Sequence, residues 1–271
     1  DMADFVGDSL ALSRKAAATD ADIIVFCGVL FMAETAKILS PQKKVIIPDR
    51  EAGCPMSDMI TKKDVLELRK KYPDAVFTAY VNSSADVKAE VDICCTSGNA
   101  IKVVDSIPKD KTVVFLPDKY LGSYVQNQLK RKLVIWNGYC PTHMRITASY
   151  IKKLKQEHPK AEVLAHPECT PDVIALADYV YSTAGMIKHV SQSNAKEFII
   201  GTEQGIIYKL QKDNPGKIFY NTGPQTICPN MKKITLEKLL WALEEEKEEI
   251  ILPADIIKRA KQAVDRMISI N

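Results

Sequence analysis

Three Cys-Pro dipeptides, Cys54-Pro55, Cys140-Pro141 and Cys228-Pro229, divide the chain at separations of 86 and 88 residues. A recurrence on that scale is longer than a solenoid unit and close to a small domain, so tandem copies of one unit are expected. Around the dipeptides, apolar β-branched runs alternate with helical stretches, the pattern of parallel strands joined by crossover helices. The fold class is therefore α/β. Chance recurrence, common to any such protein, is the competing explanation, and the matched cysteines argue against it.

The first copy reads Ala21-Asp22, the strand Ile23 to Phe26, Cys27-Gly28, a helix through Leu39, the strand Val45 to Ile47 and Pro48-Asp49. The second runs from Val91-Asp92 through Ile93 to Cys95, Ser97-Gly98-Asn99, a helix through Ile107, Val113 to Leu116 and Pro117-Asp118. The third has Ala177-Asp178, Tyr179 to Tyr181, Thr183-Ala184-Gly185, a helix into Val190, Phe198 to Ile200 and Thr202-Glu203. From Asp22 to Asp49, Asp92 to Asp118 and Asp178 to Glu203 the spacing is 27, 26 and 25 residues. Copies two and three each begin with a further strand, Ala75 to Val81 and Ala161 to Ala165. The first copy opens instead on a helical pattern at Met2 to Lys15, so its strand and polar tip are expected to be missing. Three similar three-layer αβα units around a pseudo-threefold axis follow, at 1–70, 71–155 and 156–233, with C-terminal helices over 234–271.

Composition narrows the function. With 46% hydrophobic and 26% charged residues the chain should fold as an ordinary globular protein. Its longest apolar stretch, Ile23 to Ala33, is shorter than the roughly 20 residues that span a bilayer, and no charged leader precedes it, which points to the cytoplasm and away from membranes. A net charge of +3 and basic runs without interleaved aromatics, Lys130-Arg131-Lys132 and Lys232-Lys233, argue against nucleic acid. Those runs read as solvated surface. So does the acidic run Glu244 to Glu249, as the polar face of a helix begun at Leu239-Leu240-Trp241.

Seven cysteines without a secretory leader favour metal or thiol chemistry over disulfides. If the three units pack about an axis, Cys54, Cys140 and Cys228 meet near it. Structural zinc sites want four ligands drawn in close pairs, which the spacing does not offer. A 4Fe-4S cluster with three thiolates and one open iron fits better, the open iron serving as a Lewis acid; three unrelated buried cysteines are the alternative. Cys27, Cys94 and Cys95 read as small hydrophobes in or at the end of strands, and Cys169 as an incidental thiol at a helix start.

Ligands of open α/β sheets bind beyond the carboxyl ends of strands. Tyr80 and Asn82 end one strand and His166 and Glu168 another. Ser97-Gly98 and Thr183-Ala184-Gly185 fall at strand-to-helix turns whose free N–H groups suit a carboxylate or phosphate. Each residue alone is explained as a cap, a turn or core. Together, at equivalent positions, they read as a site for an anionic substrate with a histidine, a tyrosine and a carboxylate for proton transfer.

Gly7-Asp8-Ser9-Leu10, Gly53-Cys54-Pro55-Met56, Tyr80-Val81-Asn82-Ser83, Cys95-Thr96-Ser97-Gly98-Asn99-Ala100, Trp136-Asn137-Gly138-Tyr139-Cys140, His166-Pro167-Glu168-Cys169, Ser182-Thr183-Ala184-Gly185-Met186 and Cys228-Pro229-Asn230-Met231 stand in the order found in one family. By these motifs the chain resembles, over essentially its whole length, the bacterial quinolinate synthases, the NadA family. The resemblance implies condensation of iminoaspartate with dihydroxyacetone phosphate to quinolinate in NAD biosynthesis, on a 4Fe-4S cluster held by Cys54, Cys140 and Cys228. It implies substrate contacts from Ser9, Tyr80, Asn82, Ser97, His166, Glu168 and Thr183. Tyr80 and Glu168 are the implied acid/base pair, with His166 beside them. A transient contact with the enzyme supplying iminoaspartate is also implied. The family's His-Asn-Tyr type element is not in this sequence, so the set is incomplete. Two rival classes share the cysteine pattern: another three-repeat 4Fe-4S enzyme, of the reductive dehydroxylase kind, and a non-catalytic iron-sulfur redox sensor.

Overall fold

A computed structural model describes residues 2–270, and its chain divides into two compact units, Asp1–Gly138 with Pro229–Asn271, and Tyr139–Cys228. The first unit begins α1 (Ser9–Ala18), β1 (Ile23–Val25), α2 (Leu30–Leu39), β2 (Lys44–Ile46), α3 (Lys62–Lys71) and β3 (Val76–Tyr80). It continues α4 (Ala85–Lys88), β4 (Ile93–Cys95), α5 (Ala100–Ser106), β5 (Val113–Leu116), α6 (Lys119–Leu129) and β6 (Val134–Ile135). The second unit runs α7 (Ala148–Glu157), β7 (Glu162–Ala165), α8 (Pro171–Ile174), β8 (Tyr179–Val180), α9 (Thr183–Gln192), β9 (Glu197–Gly201), α10 (Ile206–Asp213) and β10 (Ile218–Asn221). The chain then returns to the first unit as α11 (Leu236–Glu245) and α12 (Ala254–Ser269).

All named strands pair in parallel, as the apolar runs joined by helices require. Two four-stranded sheets share one topology: β4-β3-β5-β6 in the first unit and β8-β7-β9-β10 in the second. In both, the first strand lies between the next two. β1 and β2 differ, pairing directly with no strand between them. The short strands β6 and β10, absent from the sequence reading, complete the two larger sheets. Each follows a basic or Gly-containing loop and is too short to show alternation.

The second unit shows why its strands read as continuous apolar runs. Successive strand residues point to opposite faces. Val163, Ala165 and Ile199 therefore pack with Ile151 and Leu154 of α7 and Val173 of α8, while Leu164, Phe198 and Ile200 pack with Met186 and Val190 of α9 and Leu210 of α10. Helices cover both faces, giving three layers. In the first unit α12 buries Ile256, Ala260, Ala263, Val264 and Met267, an apolar stripe of helical period, and it contacts α2, α4 and β4. Asn99 fixes this packing by donating from Nδ2 to the Met267 carbonyl at 3.2 Å.

The aspartates of the repeat have a local job. Asp92 Oδ2 accepts from the Phe77 N–H at 2.7 Å and Asp178 Oδ2 from the Val163 N–H at 2.8 Å. Each thereby ties the start of one strand to its neighbour. The repeat also extends past the cysteines further than first read. Six and seven residues after each comes Ile-Thr: Ile60-Thr61, Ile146-Thr147 and Ile234-Thr235. Between cysteine and isoleucine lies one 3₁₀ turn, Ser57–Met59, His143–Arg145 or Met231–Lys233. The threonine then N-caps α3, α7 or α11 by accepting from Asp64, Tyr150 or Lys238 N–H. Three thiols thus sit in the same local frame. Ahead of Cys140, Gly138 closes against Pro117, where a Cβ would come within 2.5 Å of the Pro117 carbonyl oxygen, so no larger residue fits.

Several expectations are corrected. The first helix starts at Ser9 rather than Met2, because Asp8 caps it by accepting from the Ala11 N–H at 3.0 Å. Glu246 takes a left-handed conformation and ends α11, so the acidic run leaves the helix. Glu246, Glu248 and Glu249 pair with Lys44, Arg50 and Lys37, and Ile46 bridges to Glu249 beside β2. Arg131 is not merely solvated: its guanidinium donates to the carbonyls of Val104, Ile107, Pro108 and Lys111, covering the end of α5. Cys27 is exposed, beyond the end of β1, and is no core hydrophobe. Among the described residues no helix is long and apolar enough to cross a membrane.

Candidate active site

Parallel strands deliver their carboxyl ends to one edge, and both larger sheets carry the expected polar residues there. In the second unit His166 and Glu168 follow β7 directly, Thr183 opens α9 just past β8, and Thr202 follows β9. His166 and Glu168 are 4% and 3% exposed, too buried for incidental turn residues. The 3₁₀ turn after Cys140 adds His143, 7% exposed, which the sequence reading missed. Its only signal was the Cys-x-x-His spacing.

These groups form a compact polar centre. His143 Nε2 lies 2.9 Å from Thr202 Oγ1, and its Nδ1 lies 3.0 Å from Glu168 Oε2. The latter contact is poorly aligned for a hydrogen bond and acts mainly through charge. His166 Nδ1 stands 3.7 Å from Glu168 Oε1, and the two imidazoles stack with centroids 4.8 Å apart. Ligand atoms of Cys140, His143 and Glu168 all lie within 4.8 Å of one another, a thiol, an imidazole and a carboxylate that can hold a metal.

The two histidines diverge electrostatically. Burial disfavours the His143 imidazolium, but the Cys140 thiolate and Glu168 carboxylate more than offset it, and the ring is held well above its ordinary value. Burial raises Cys140 itself; while that thiol keeps its proton, Glu168 alone holds the charge on His143. His166 is pushed down to about 4, by burial first and also by the neighbouring His143 charge. Glu168 therefore stands between a charged and a neutral imidazole, an arrangement suited to moving protons.

In the first unit Tyr80, 4% exposed, ends β3, and Asn82 follows it. Ser97 lies in the turn after the adjacent strand β4, so the three share one sheet edge. The Oδ1 of Asn82 is buried and meets no hydrogen-bond donor among the described residues. Such an atom costs free energy unless a ligand reaches it. Ser9 opens α1 and lines a narrow cleft with Ser13, Phe26, Phe31, Met32 and Val81. Thr183 occupies the first turn of α9 rather than a free loop, because Ser182 caps that helix by accepting from the Gly185 N–H.

None of the seven cysteines forms a disulfide. Cys54, Cys140 and Cys228 are half-buried, each in its Cys-Pro loop, and the Cys228 N–H donates to Glu203 Oε1 at 3.2 Å. Cys94 and Cys95 are buried, as the apolar reading expects, and Cys169 is buried as well. Cys169 precedes the Thr170 cap and is no helix-start thiol. Its Sγ donates to the Gly201 carbonyl at 3.4 Å, and burial pushes it up to about 12, as it does Cys94. Alkylation of the cluster-free chain near neutral pH should modify Cys27, Cys54 and Cys228 first and spare Cys94, Cys95 and Cys169 until denaturant is added. Peptide mass spectrometry reads the order, and early labelling of Cys169 would contradict its inert environment.

A half-buried thiol with a buried imidazole and carboxylate at the carboxyl edge of a parallel sheet is the build of an α/β enzyme that works through a metal centre. The family model described as quinolinate synthetase A protein, NadA, matches residues 1–269. Quinolinate synthase of Geobacter metallireducens is 53% identical over 270 residues, covering 100% of this chain and 88% of the relative. The Aquifex aeolicus quinolinate synthase is 52% identical, over 100% and 86%, and quinolinate synthase 1 of Methanosarcina acetivorans 50%, over 100% and 88%. The chain belongs to the quinolinate synthetase A family. Membership makes it an enzyme of quinolinate formation in NAD biosynthesis and sets aside both rival classes.

Proposed function

We propose that the chain condenses iminoaspartate with dihydroxyacetone phosphate, losing phosphate and two waters, on a 4Fe-4S cluster held by Cys54, Cys140 and Cys228. The donor set fits such a group, for the three cysteines are outside any disulfide, half-buried and carried in one recurring loop frame. When bound, a cluster with three protein ligands supplies an iron with an open position, a Lewis acid for a substrate hydroxyl or carboxylate. The cytoplasm, which keeps thiols reduced, is the matching compartment.

The observation that most supports proton chemistry is Glu168 held between two imidazoles at β7. Glu168 takes and returns protons at its carboxylate, with His143 charged beside it and His166 available as a neutral acceptor. Tyr80 serves as the opposite acid or base through its hydroxyl. Asn82, Ser97, Thr183 and Ser9 hold carboxylate, carbonyl and phosphate oxygens, with the unpartnered Asn82 Oδ1 placed to accept from a substrate hydroxyl or imine N–H. We also infer repeats over 1–70, 71–155 and 156–233 followed by C-terminal helices over 234–271. Because iminoaspartate hydrolyses readily, a transient contact with its supplying enzyme belongs to the proposal.

Anaerobically reconstituted protein, given oxaloacetate with ammonium as the imine source and dihydroxyacetone phosphate, should form quinolinate only when both are present. Chromatography of the product checks it. A cluster-loaded chain that makes no quinolinate from the pair would overturn the reading.

A further inference from the structure

We infer that Lys88 is a positioning residue for Tyr80, holding the turn 80–83 in place through a hydrogen bond to the Ser83 carbonyl. This inference rests on the acid/base role proposed above for Tyr80. Lys88 ends α4 and, like Ser83, is 0% exposed. Lysine is almost never fully buried unless it is paired. Among the described residues its amine makes one hydrogen bond, donated to the Ser83 carbonyl, and it lies 5.5 Å over the Phe31 ring. Ser83 in turn donates from Oγ to the Tyr80 carbonyl at 2.9 Å, and the Val81 N–H donates to the Cys95 carbonyl at 2.9 Å. A chain of bonds therefore runs from the buried amine to the backbone of Tyr80.

The second unit shows what this position needs for packing alone. α4 and α8 are equivalent four-residue helices, for Ala85 stands five residues after Tyr80 and Pro171 five after His166. Ser84 and Thr170 occupy the cap positions, and Lys88 corresponds to Ile174, which packs on the apolar cluster beneath α7 and α8. An isoleucine thus fills the place, and the amine serves something else. In the second unit the strand tip closes through its backbone, the Cys169 N–H donating to the His166 carbonyl at 2.9 Å. At Tyr80 the Ser83 hydroxyl makes the closing bond. A hydroxyl rotates freely, so that bond holds its direction only while Ser83 is itself held. The Lys88 amine does this from a helix too short to be stable alone. Glu34 of α2 pins the start of that helix by accepting from the Ala85 N–H at 2.9 Å. Phe31, one turn earlier on α2, lies under the amine and lines the Ser9 cleft together with Val81. In such apolar surroundings a hydrogen bond is stronger than in water, and removing its donor leaves a buried carbonyl to be satisfied.

The test uses the full chain, reconstituted without oxygen, with iron and sulfide analysed first. Lys88→Met removes the donor and keeps an unbranched side chain. It should load a full cluster, lower kcat for quinolinate by about tenfold, within the range that a displaced catalytic group costs, and change KM less. Ser83→Ala, which removes only the second link, should lower kcat in the same direction. Placed in Tyr80→Phe, Lys88→Met should change the residual turnover by about twofold or less, because the lysine acts through the tyrosine, whereas a merely structural lysine would cost the same factor in both backgrounds. An unaltered kcat in fully loaded Lys88→Met overturns the inference alone, as does an undiminished loss in the Tyr80→Phe background. Should Lys88→Met fail to fold or to load its cluster, Ser83→Ala decides: a lower kcat with a full cluster supports the inference and an unchanged kcat overturns it. An unaltered chain that loads its cluster and makes no quinolinate overturns the functional reading and this inference together.

Discussion

Alanine at Cys54, Cys140 or Cys228, one at a time, removes most of the iron and inorganic sulfide from anaerobically purified protein, while the unaltered chain carries about four irons, as the cluster type requires. The unaltered protein is brown and fades in air with its activity. Iron and sulfide analysis with the visible spectrum checks each variant. The size of the effect follows from the ligand count, since a cluster with only three protein ligands has none to spare. Cys94→Ala and Cys95→Ala are the controls: both side chains are 0% exposed in β4, so their loss costs packing on the order of 1 kcal/mol or more and leaves the cluster in place. Equal cluster loss in these controls would show that the wrong thiols were chosen. A colourless anaerobic protein holding one zinc would point instead to Cys140, His143 and Glu168, whose ligand atoms are already close enough to share an ion.

What the sequence disclosed and what it withheld divide along physical lines. Buried parallel strands are continuous apolar runs, so β3, β4, β5, β7 and β9 could be read to within a residue or two of their ends. β6 and β10 are two and four residues long with part-exposed faces, and nothing in their composition separates them from loop. Capping decides helix starts more finely than hydrophobicity does. Asp8 and Ser182 moved two boundaries that apolar periodicity could not fix. Among site residues, His166 and Glu168 were visible because a polar triplet ending a strand is unusual, whereas His143 reaches Glu168 only through the 3₁₀ turn behind Cys140. Lys88 was invisible for the opposite reason. A lysine on a four-residue helix looks like surface until the fold covers it.

Glu168→Gln and Tyr80→Phe each keep a full cluster and lower quinolinate turnover by about 100-fold or more, the scale of losing a positioned acid or base. Iron content and turnover measured on the same preparations check the separation. Both substitutions nearly preserve shape, so the cysteine loops should not register them. Gln at 168 can still contact the two imidazoles, but it carries no charge to hold the proton on His143 and cannot accept one from substrate. Ser97→Ala should behave differently, raising KM more than it lowers kcat, if the hydroxyl only holds a substrate oxygen. The discriminating result lies at Glu168. Near-full quinolinate formation by Glu168→Gln with its cluster intact would mean that the carboxylate between His143 and His166 is a structural clamp, and the proton transfers would have to be reassigned to Tyr80 and the histidines.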